Sequence, residues 1–396
     1  MTSVSMVRRF RLGLTALGVW CAAAGCCCRW CCPAKSSAAP MTRPAAQAAR
    51  QPLVQFGRQV QGDANAPGGV NVFGELKGAR PLAVRAIGDA NFQQHTYIDD
   101  GYDANVAVDP TGKWLAFAST RDSDHTNIFM QRADGTAVIQ LTSESADDAY
   151  PAFSPDGRQI AFASTRAGNW QIFVMDVDGK NATQVTTGPM QAIHPSWCPD
   201  GTRLVYCSLG SKSNQWELWT ANVQTNEKRM IGYGLFPAWS PSRESDRIAF
   251  QRPRQRGSRW FSLWTLDLVN GEATRLTEVI VSSNAAVLSP AWSPDGRRLA
   301  FATVMEPNAE MGPRAAGRTD IWTVNSDGTD RRRITDGTGT NLMPYWSGDN
   351  RIYFISDRGG AECVWSARAE PAKVFTVDAR KDAGKTEAAN VQEPEH

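Results

Sequence analysis

Short apolar runs separated by polar turns repeat along most of this chain. The stretch Phe153-Ser-Pro-Asp-Gly-Arg-Gln-Ile-Ala-Phe-Ala-Ser164 shows the pattern: an aromatic, a small polar residue, Pro-Asp-Gly, then an apolar run. Variants begin at Val108, Trp197, Trp239, Trp292 and Trp346. Their Pro positions, with Gly348 in the last, are 110, 155, 199, 241, 294 and 348, spaced by 45, 44, 42, 53 and 54 residues. A period of about 40–50 residues is the mark of a solenoid, propeller or array.

Each repeat reads as four antiparallel strands. The inner strand ends at the aromatic. Asp156-Gly157, Asp200-Gly201 and Asp295-Gly296 then turn the chain, since both turn residues tolerate positive φ. The second strand is Leu115–Phe117, Ile160–Phe162, Leu204–Tyr206, Ile248–Phe250, Leu299–Phe301 and Ile352–Phe354. The third carries an aliphatic-aromatic pair: Ile128-Phe129, Ile172-Phe173, Leu218-Trp219, Leu263-Trp264, Ile321-Trp322 and Val364-Trp365. The fourth ends near Leu141-Thr142, Val185-Thr186, Leu276-Thr277 and Ile334-Thr335. Such a sheet cannot bury both faces alone, and stacking around an axis solves this with short edges. Twelve of the fourteen Trp follow residue 113, mostly at equivalent positions, where large rings fill the wedge between sheets. The expected fold is all-β, a six-bladed β-propeller with four antiparallel strands per blade over residues 99–378.

The flanks differ in kind. Arg8, Arg9 and Arg11 precede an apolar run from Leu12 to Gly25, too short for a confident membrane span and suited to an export signal over residues 1–25. Ala23-Ala24-Gly25-Cys26 resembles a bacterial lipobox, which would make Cys26 the lipid attachment point; ordinary secretory cleavage after Ala24 is the alternative. Residues 26–52 are expected to be a flexible tether and residues 379–396 a disordered tail. Gln93–Ile98 align with a fourth strand, because Thr96 lies 14 before Pro110 as Leu141 lies 14 before Pro155. Residues 53–98 are thus expected to close the last blade, with Lys373–Val377 competing for that role.

Charge narrows the function classes. The chain has net charge +2, but seven basic and no acidic residues in 1–50 leave −5 on the rest. Nucleic acid is a disfavoured partner, because phosphate neutralisation needs clustered Lys and Arg. Six of nine Cys fall at 21–32 (Cys21, Cys26, Cys27, Cys28, Cys31, Cys32) without a second Cys or His pair at zinc-site distance. Cys198 and Cys207 flank one hairpin and could pair, but Cys198 takes a Ser position and reads as a core residue. No Gly-x-Ser-x-Gly, His-Glu-x-x-His, Walker or dinucleotide motif is present among four His. Asp176-Val177-Asp178-Gly179 is a fragment of a calcium loop that falls where a blade needs a turn. No cofactor or metal is called for.

The channel is the remaining candidate. The residue five before each repeat Pro (or Gly348) begins the inner strand: Asn105, Tyr150, His194, Phe236, Ser289 and Met343. Two residues earlier come Asp103, Asp148, Ala192, Gly234, Val287 and Asn341. Together with Asp99, Asp100 and Asp147 they form a mixed ring with an acidic sector. The expected binding residues are Asp103, Asn105, Asp148, Tyr150, His194, Phe236, Asn341 and Met343, at a mouth accepting a peptide or protein loop. The Arg-rich loop Arg252–Arg259 and the insertion Met305–Arg318 are further candidates.

The recurrent aromatic-Ser-Pro-Asp-Gly with downstream Ile-Ala-Phe, over about 105–367, resembles the repeats of TolB-type periplasmic propellers. The resemblance implies a six-bladed ring whose channel and mouth bind protein partners, a peptidoglycan-associated lipoprotein in the Tol–Pal envelope system. TolB carries an α/β domain before its propeller; here the forty or so residues between tether and first blade lack helical periodicity, so a propeller without that domain is expected. Similar repeats occur in prolyl oligopeptidase-like enzymes. The leading expectation is an exported, monomeric, periplasmic, lipid-anchored scaffold that binds an envelope protein or peptide. The alternatives are a hydrolase or lyase acting on peptide or carbohydrate, and a carbohydrate-binding module using Trp170, Trp216 or Trp260.

Overall fold

The computed structural model describes residues 92–143, 145–253, 261–282, 285–305 and 319–369. The export signal, Cys26 and the other leader cysteines, the tether, residues 53–91, Lys373–Val377 and the tail lie outside the described residues. So do Trp260 and most of the Arg252–Arg259 and Met305–Arg318 loops.

Among the described residues, twenty-four strands form six four-stranded antiparallel sheets. Blade one is β2 (Asp103–Val108), β3 (Trp114–Ser119), β4 (Asn127–Arg132) and β5 (Val138–Gln140). Blade two is β6 (Asp148–Phe153), β7 (Gln159–Ser164), β8 (Gln171–Asp176) and β9 (Thr183–Gln184). Blade three is β10 (Ala192–Trp197), β11 (Arg203–Leu209), β12 (Trp216–Asn222) and β13 (Lys228–Tyr233). Blade four is β14 (Leu235–Trp239), β15 (Arg247–Pro253), β16 (Phe261–Val269) and β17 (Glu272–Ile280). Blade five is β18 (Ala285–Trp292), β19 (Arg298–Met305), β20 (Thr319–Asn325) and β21 (Arg332–Arg333). Blade six is β22 (Asn341–Trp346), β23 (Arg351–Ser356), β24 (Cys363–Arg368) and, as its outer strand, β1 (Phe92–Gln94). Inner strands touch their neighbours in cyclic order, and β22 meets β2, so the ring is closed.

The repeat aromatics pack the blades together. Phe117, Phe162, Tyr206, Phe250, Phe301 and Phe354, one per second strand, are all buried. Two of the Trp that end inner strands staple their blade to the one before, whereas Trp239 Nε1 donates to Asp246 Oδ1 within its own blade at 2.7 Å. Trp197 Nε1 donates to Ala152 O at 3.0 Å, and Trp292 Nε1 to Ala238 O at 3.0 Å. A buried indole N–H left unpaired would be costly, so each staple also fixes the angle between blades. The small turn residues make close packing possible at the other end. Gly157, at φ 71°, sits against Pro110 of the preceding blade.

A second staple closes blades one, two, five and six outward. Thr142 Oγ1 accepts the Ile128 amide at 2.9 Å, Thr186 Oγ1 that of Ile172 at 2.8 Å and Thr335 Oγ1 that of Ile321 at 3.0 Å. In blade six Thr96 Oγ1 accepts the Val364 amide at 2.8 Å. Thr96 therefore does the work of Thr142, one residue from the Leu141 that the spacing alignment pairs with it. Cys198 and Cys207 are free and buried. Cys198 takes the turn-serine role, its thiol 2.7 Å from Asp200 Oδ1.

Candidate functional site

Six inner strands carry the same defect. Register breaks between Ala104 and Ala107, Ala149 and Ala152, Ile193 and Ser196, Leu235 and Ala238, Leu288 and Ala291, and Leu342 and Tyr345. At each break one non-glycine residue is left-handed: Asn105 (φ 53°), Tyr150 (57°), His194 (57°), Phe236 (52°), Ser289 (50°) and Met343 (54°). For an L-residue this costs roughly 1–2 kcal/mol, which glycine would avoid. Five of the six precede proline (Pro151, Pro195, Pro237, Pro290, Pro344), whose missing N–H removes a donor that a bulge leaves unpaired.

The bulges bring side chains from different blades together. The Tyr150 and His194 rings lie 3.8 Å apart between centroids, and His194 and Phe236 also 3.8 Å, so blades two, three and four present one aromatic arc. Across the ring Asn105 Nδ2 lies 3.2 Å from Met343 Sδ, joining blades one and six. Ser289 is the small member, its amide donating to Gln251 Oε1 at 2.9 Å. Desolvation holds the His194 imidazole neutral, with its pKa lowered to about 3. The arc is therefore an uncharged aromatic surface at any ordinary pH.

Asp103, Asp148 and Asn341 are placed differently from Asn105, Tyr150 and Met343. Strand alternation would put residues two apart on one face, but the left-handed residue rotates the backbone between them. All three are 0 % exposed. Arg121 Nη2 donates to Asp103 Oδ1 at 2.9 Å, Arg166 Nη2 to Asp148 Oδ2 at 3.1 Å, and Arg358 Nη2 to Asn341 Oδ1 at 3.1 Å. Each guanidinium also stacks on aromatics: Arg121 on Phe117 at 5.0 Å, Arg166 on Phe173 at 5.1 Å, Arg358 on Phe92 at 3.8 Å. Burial raises the Asp148 pKa, with Ser164, Arg166 and Thr142 opposing it. Reasoning from the sequence misses these three Arg, yet a signal for them exists: Ser119-Thr-Arg121, Ser164-Thr-Arg166 and Ser356-Asp-Arg358 recur after the second strand. Asp147 lies nearby, its carboxylate accepting the Thr126 amide at 3.1 Å and sitting 3.4 Å from His125 Nδ1.

Among the described residues no group of three or more His, Cys, Asp or Glu is placed to hold a metal ion. The arrangement can grip an apolar or aromatic side chain on one side of the channel and hydrogen-bond a peptide group through Asn105 or Ser289 on the other.

The fold is a closed six-bladed propeller whose inner-strand bulges bring Tyr150, His194 and Phe236 into contact. The TolB beta propeller domain family model matches residues 94–243, 170–309 and 235–392, and the chain belongs to that family. The chain is 31% identical over 88 residues to the Tol-Pal system protein TolB of Alcanivorax borkumensis, a stretch covering 22% of this chain and 18% of that protein. It is 33% identical over 87 residues to dipeptidyl-peptidase 5 of Porphyromonas gingivalis, covering 22% of this chain and 12% of that one. The matched stretch thus spans less than a fifth of either relative. A putative TolB from Agrobacterium tumefaciens superimposes with TM-score 0.49 at 16% identity, covering 67% of this chain and 90% of that chain.

Proposed function

We propose that this protein is an exported envelope scaffold, Tol–Pal-like, that binds a segment of a protein partner in its channel mouth. The observation that carries this reading is the ring of six left-handed non-glycine residues. Side chains kept at strained positions, where glycine would be more stable, are side chains held for what they touch. The aromatic arc of Tyr150, His194 and Phe236 receives an apolar side chain of the partner. Asn105, Ser289 and Met343 face its backbone. Asp103, Asp148 and Asn341 contribute by holding the inner strands that carry the ring. Membership of the TolB propeller family supports a protein ligand and a periplasmic location. The lipobox-like Cys26 supports an anchor at the membrane, with the propeller as a monomer.

A photocrosslinking residue at Phe236 tests the mouth. With the full chain expressed in cells, adducts to an envelope protein are expected from position 236 and not from Lys180, on the turn side of blade two. Equal adducts at both positions would remove the mouth as the binding site. Cys26→Ala tests the anchor separately, and is expected to move the protein from the membrane fraction to the soluble envelope fraction.

A further inference from the structure

The ring is closed by a short strand. β1 has three residues and, among the described residues, pairs with β24 alone, Phe92 opposite Ala367, Gln93 opposite Ser366 and Gln94 opposite Trp365. The next residue, His95, is 4 % exposed and lies at the seam between blades six and one. We propose that His95 is a proton-sensitive latch: its neutral imidazole locks the N-terminal strand into blade six, and protonation releases that strand and opens the ring at this seam.

The hydrogen bonds around the ring run in one direction. His95 Nδ1 is 2.9 Å from the Ala133 carbonyl, which can only accept, so Nδ1 carries the hydrogen. Nε2 is 2.7 Å from Ser366 Oγ and must accept from it. Ser366 Oγ in turn accepts from Arg351 Nε at 2.8 Å. The relay Arg351 to Ser366 to His95 to Ala133 therefore spans both blades and is satisfied only with a neutral imidazole. A proton on Nε2 would turn Ser366 from donor to second acceptor, beside a guanidinium. Gln131 Nε2 donates to the His95 carbonyl at 2.7 Å, and the Tyr353 ring packs against the imidazole at 4.9 Å.

The charged surroundings oppose protonation on balance. Blade six contributes Arg351, which lowers the His95 pKa, and Asp349, which raises it and is also the acceptor of the Tyr353 phenol at 3.0 Å. Arg368, opposite Arg351 in register, is exposed. From blade one, Arg132 and Asp134 flank Ala133 and pair with each other. Burial is the largest influence, and it holds the imidazole below its ordinary value of 6.5. The released strand titrates near that ordinary value. The latch is therefore fully closed above pH 6.5, and the closed-to-open ratio falls up to tenfold per pH unit below it, until the closed imidazole itself titrates.

Release would reach the mouth. Phe92 of β1 lies under Arg358, at 3.8 Å, and Arg358 holds Asn341 at the start of β22, two residues before Met343 of the channel ring. The latch itself stands whether or not the mouth binds a peptide.

A native thiol reports the opening. Cys363 is 1 % exposed and lies against Thr96 and Gln94, whereas the buried Cys198 and Cys207 are in blade three. The full chain is treated with a pyridyl disulfide from about pH 7.5 to 5, and each cysteine is followed by peptide mapping against the urea-unfolded chain at the same pH. Relative labelling of Cys363 is expected to rise up to tenfold per pH unit below about 6.5, with Cys198 and Cys207 still protected. In His95→Asn it is expected to be faster and independent of pH. A flat Cys363 profile in the wild type, a rise shared by all three thiols, or the same slope in His95→Asn would each overturn the latch. Should that variant not fold, hydrogen exchange on the wild type decides: the His95 and Val364 amides are expected to lose protection at about pH 5.5 while Ile128, their counterpart in blade one, keeps it, and equal protection overturns the proposal.

Discussion

Blades six, one and two and blades three, four and five build the same ring by different means. In the first half a buried Asp or Asn at the start of each inner strand is held by an Arg two residues past the second strand. In the second half Ala192, Gly234 and Val287 take that position, and none offers a side-chain oxygen for an Arg to hold. Gly234 is packed so closely that a β-carbon there would meet Phe250. One half fixes these positions with stacked guanidiniums, the other with apolar contact. The turn side varies along a different line: Ser154, Cys198 and Ser293 cap the turns of blades two, three and five alike, whereas Asp109 takes that place in blade one and Ser347 Oγ of blade six has no hydrogen-bond partner among the described residues. The shared turn occurs in both halves while the Arg pin is confined to one, so the mouth divides the ring in a way the turns do not.

Breaking a pin should have the largest effect. Arg166→Ala leaves Asp148, 0 % exposed, as an uncompensated charge, and is expected to cost about 3–5 kcal/mol of unfolding free energy in urea titrations. The pair replacement Arg166→Met with Asp148→Ala should recover most of that loss. Equal losses in the single and double variants would show that packing, not charge pairing, holds the first half. The second half is sharpened through His194. Its imidazole is neutral in the fold and titrates near 6.5 once unfolded, so its contribution is present above pH 6.5 and lost as pH falls toward about 3. Stability is expected to fall by about 1.4 kcal/mol per pH unit across that window from this residue. His194→Phe should remove one proton from the acid limb, and an unchanged slope would place the imidazole in contact with water.

How much of this is legible in the sequence depends on the range of the interaction. The blades are readable because aromatic, turn and apolar run recur within about a dozen residues, and the strands at Leu115, Ile160 and Leu299 fall where expected. Counting back from each proline also finds the ring positions. Their left-handed backbone is not found that way, although Tyr150-Pro151, His194-Pro195 and Phe236-Pro237 hold a hint of it. Simple alternation does not survive a bulge, so it sets Asp103 and Asp148 beside Asn105 and Tyr150 when they lie behind them. The Arg pins lie 17–18 residues from their partners, and only three dimensions show that Arg121 reaches Asp103.

Two smaller substitutions separate strain from contact. Ser289→Gly, at φ 50°, is expected to raise stability by about 1 kcal/mol, because glycine adopts this conformation freely. Ser289→Val should lower it, as a branched side chain tolerates the region poorly. If both changes are silent in thermal unfolding, the ring is not strained, and the case for side chains held at a cost falls with it.

Cys198→Ser is the mildest change and probes the turn that blades two, three and five share. The Arg203 amide reaches Cys198 Sγ at 3.1 Å, as the Gln159 amide reaches Ser154 Oγ at 3.0 Å and the Arg298 amide Ser293 Oγ at 2.8 Å. Ser154 and Ser293 each donate to a turn carboxylate at 2.6 Å. A hydroxyl is the better donor to Asp200, and it fits a turn built for one, whereas the thiol fills slightly more of a fully buried site. These effects oppose, so the change is expected to stay within about 0.5 kcal/mol, as the repeats' shared geometry requires. A loss of about 2 kcal/mol or more in urea unfolding would mean that blade three has repacked around sulfur and no longer shares the turn of blades two and five.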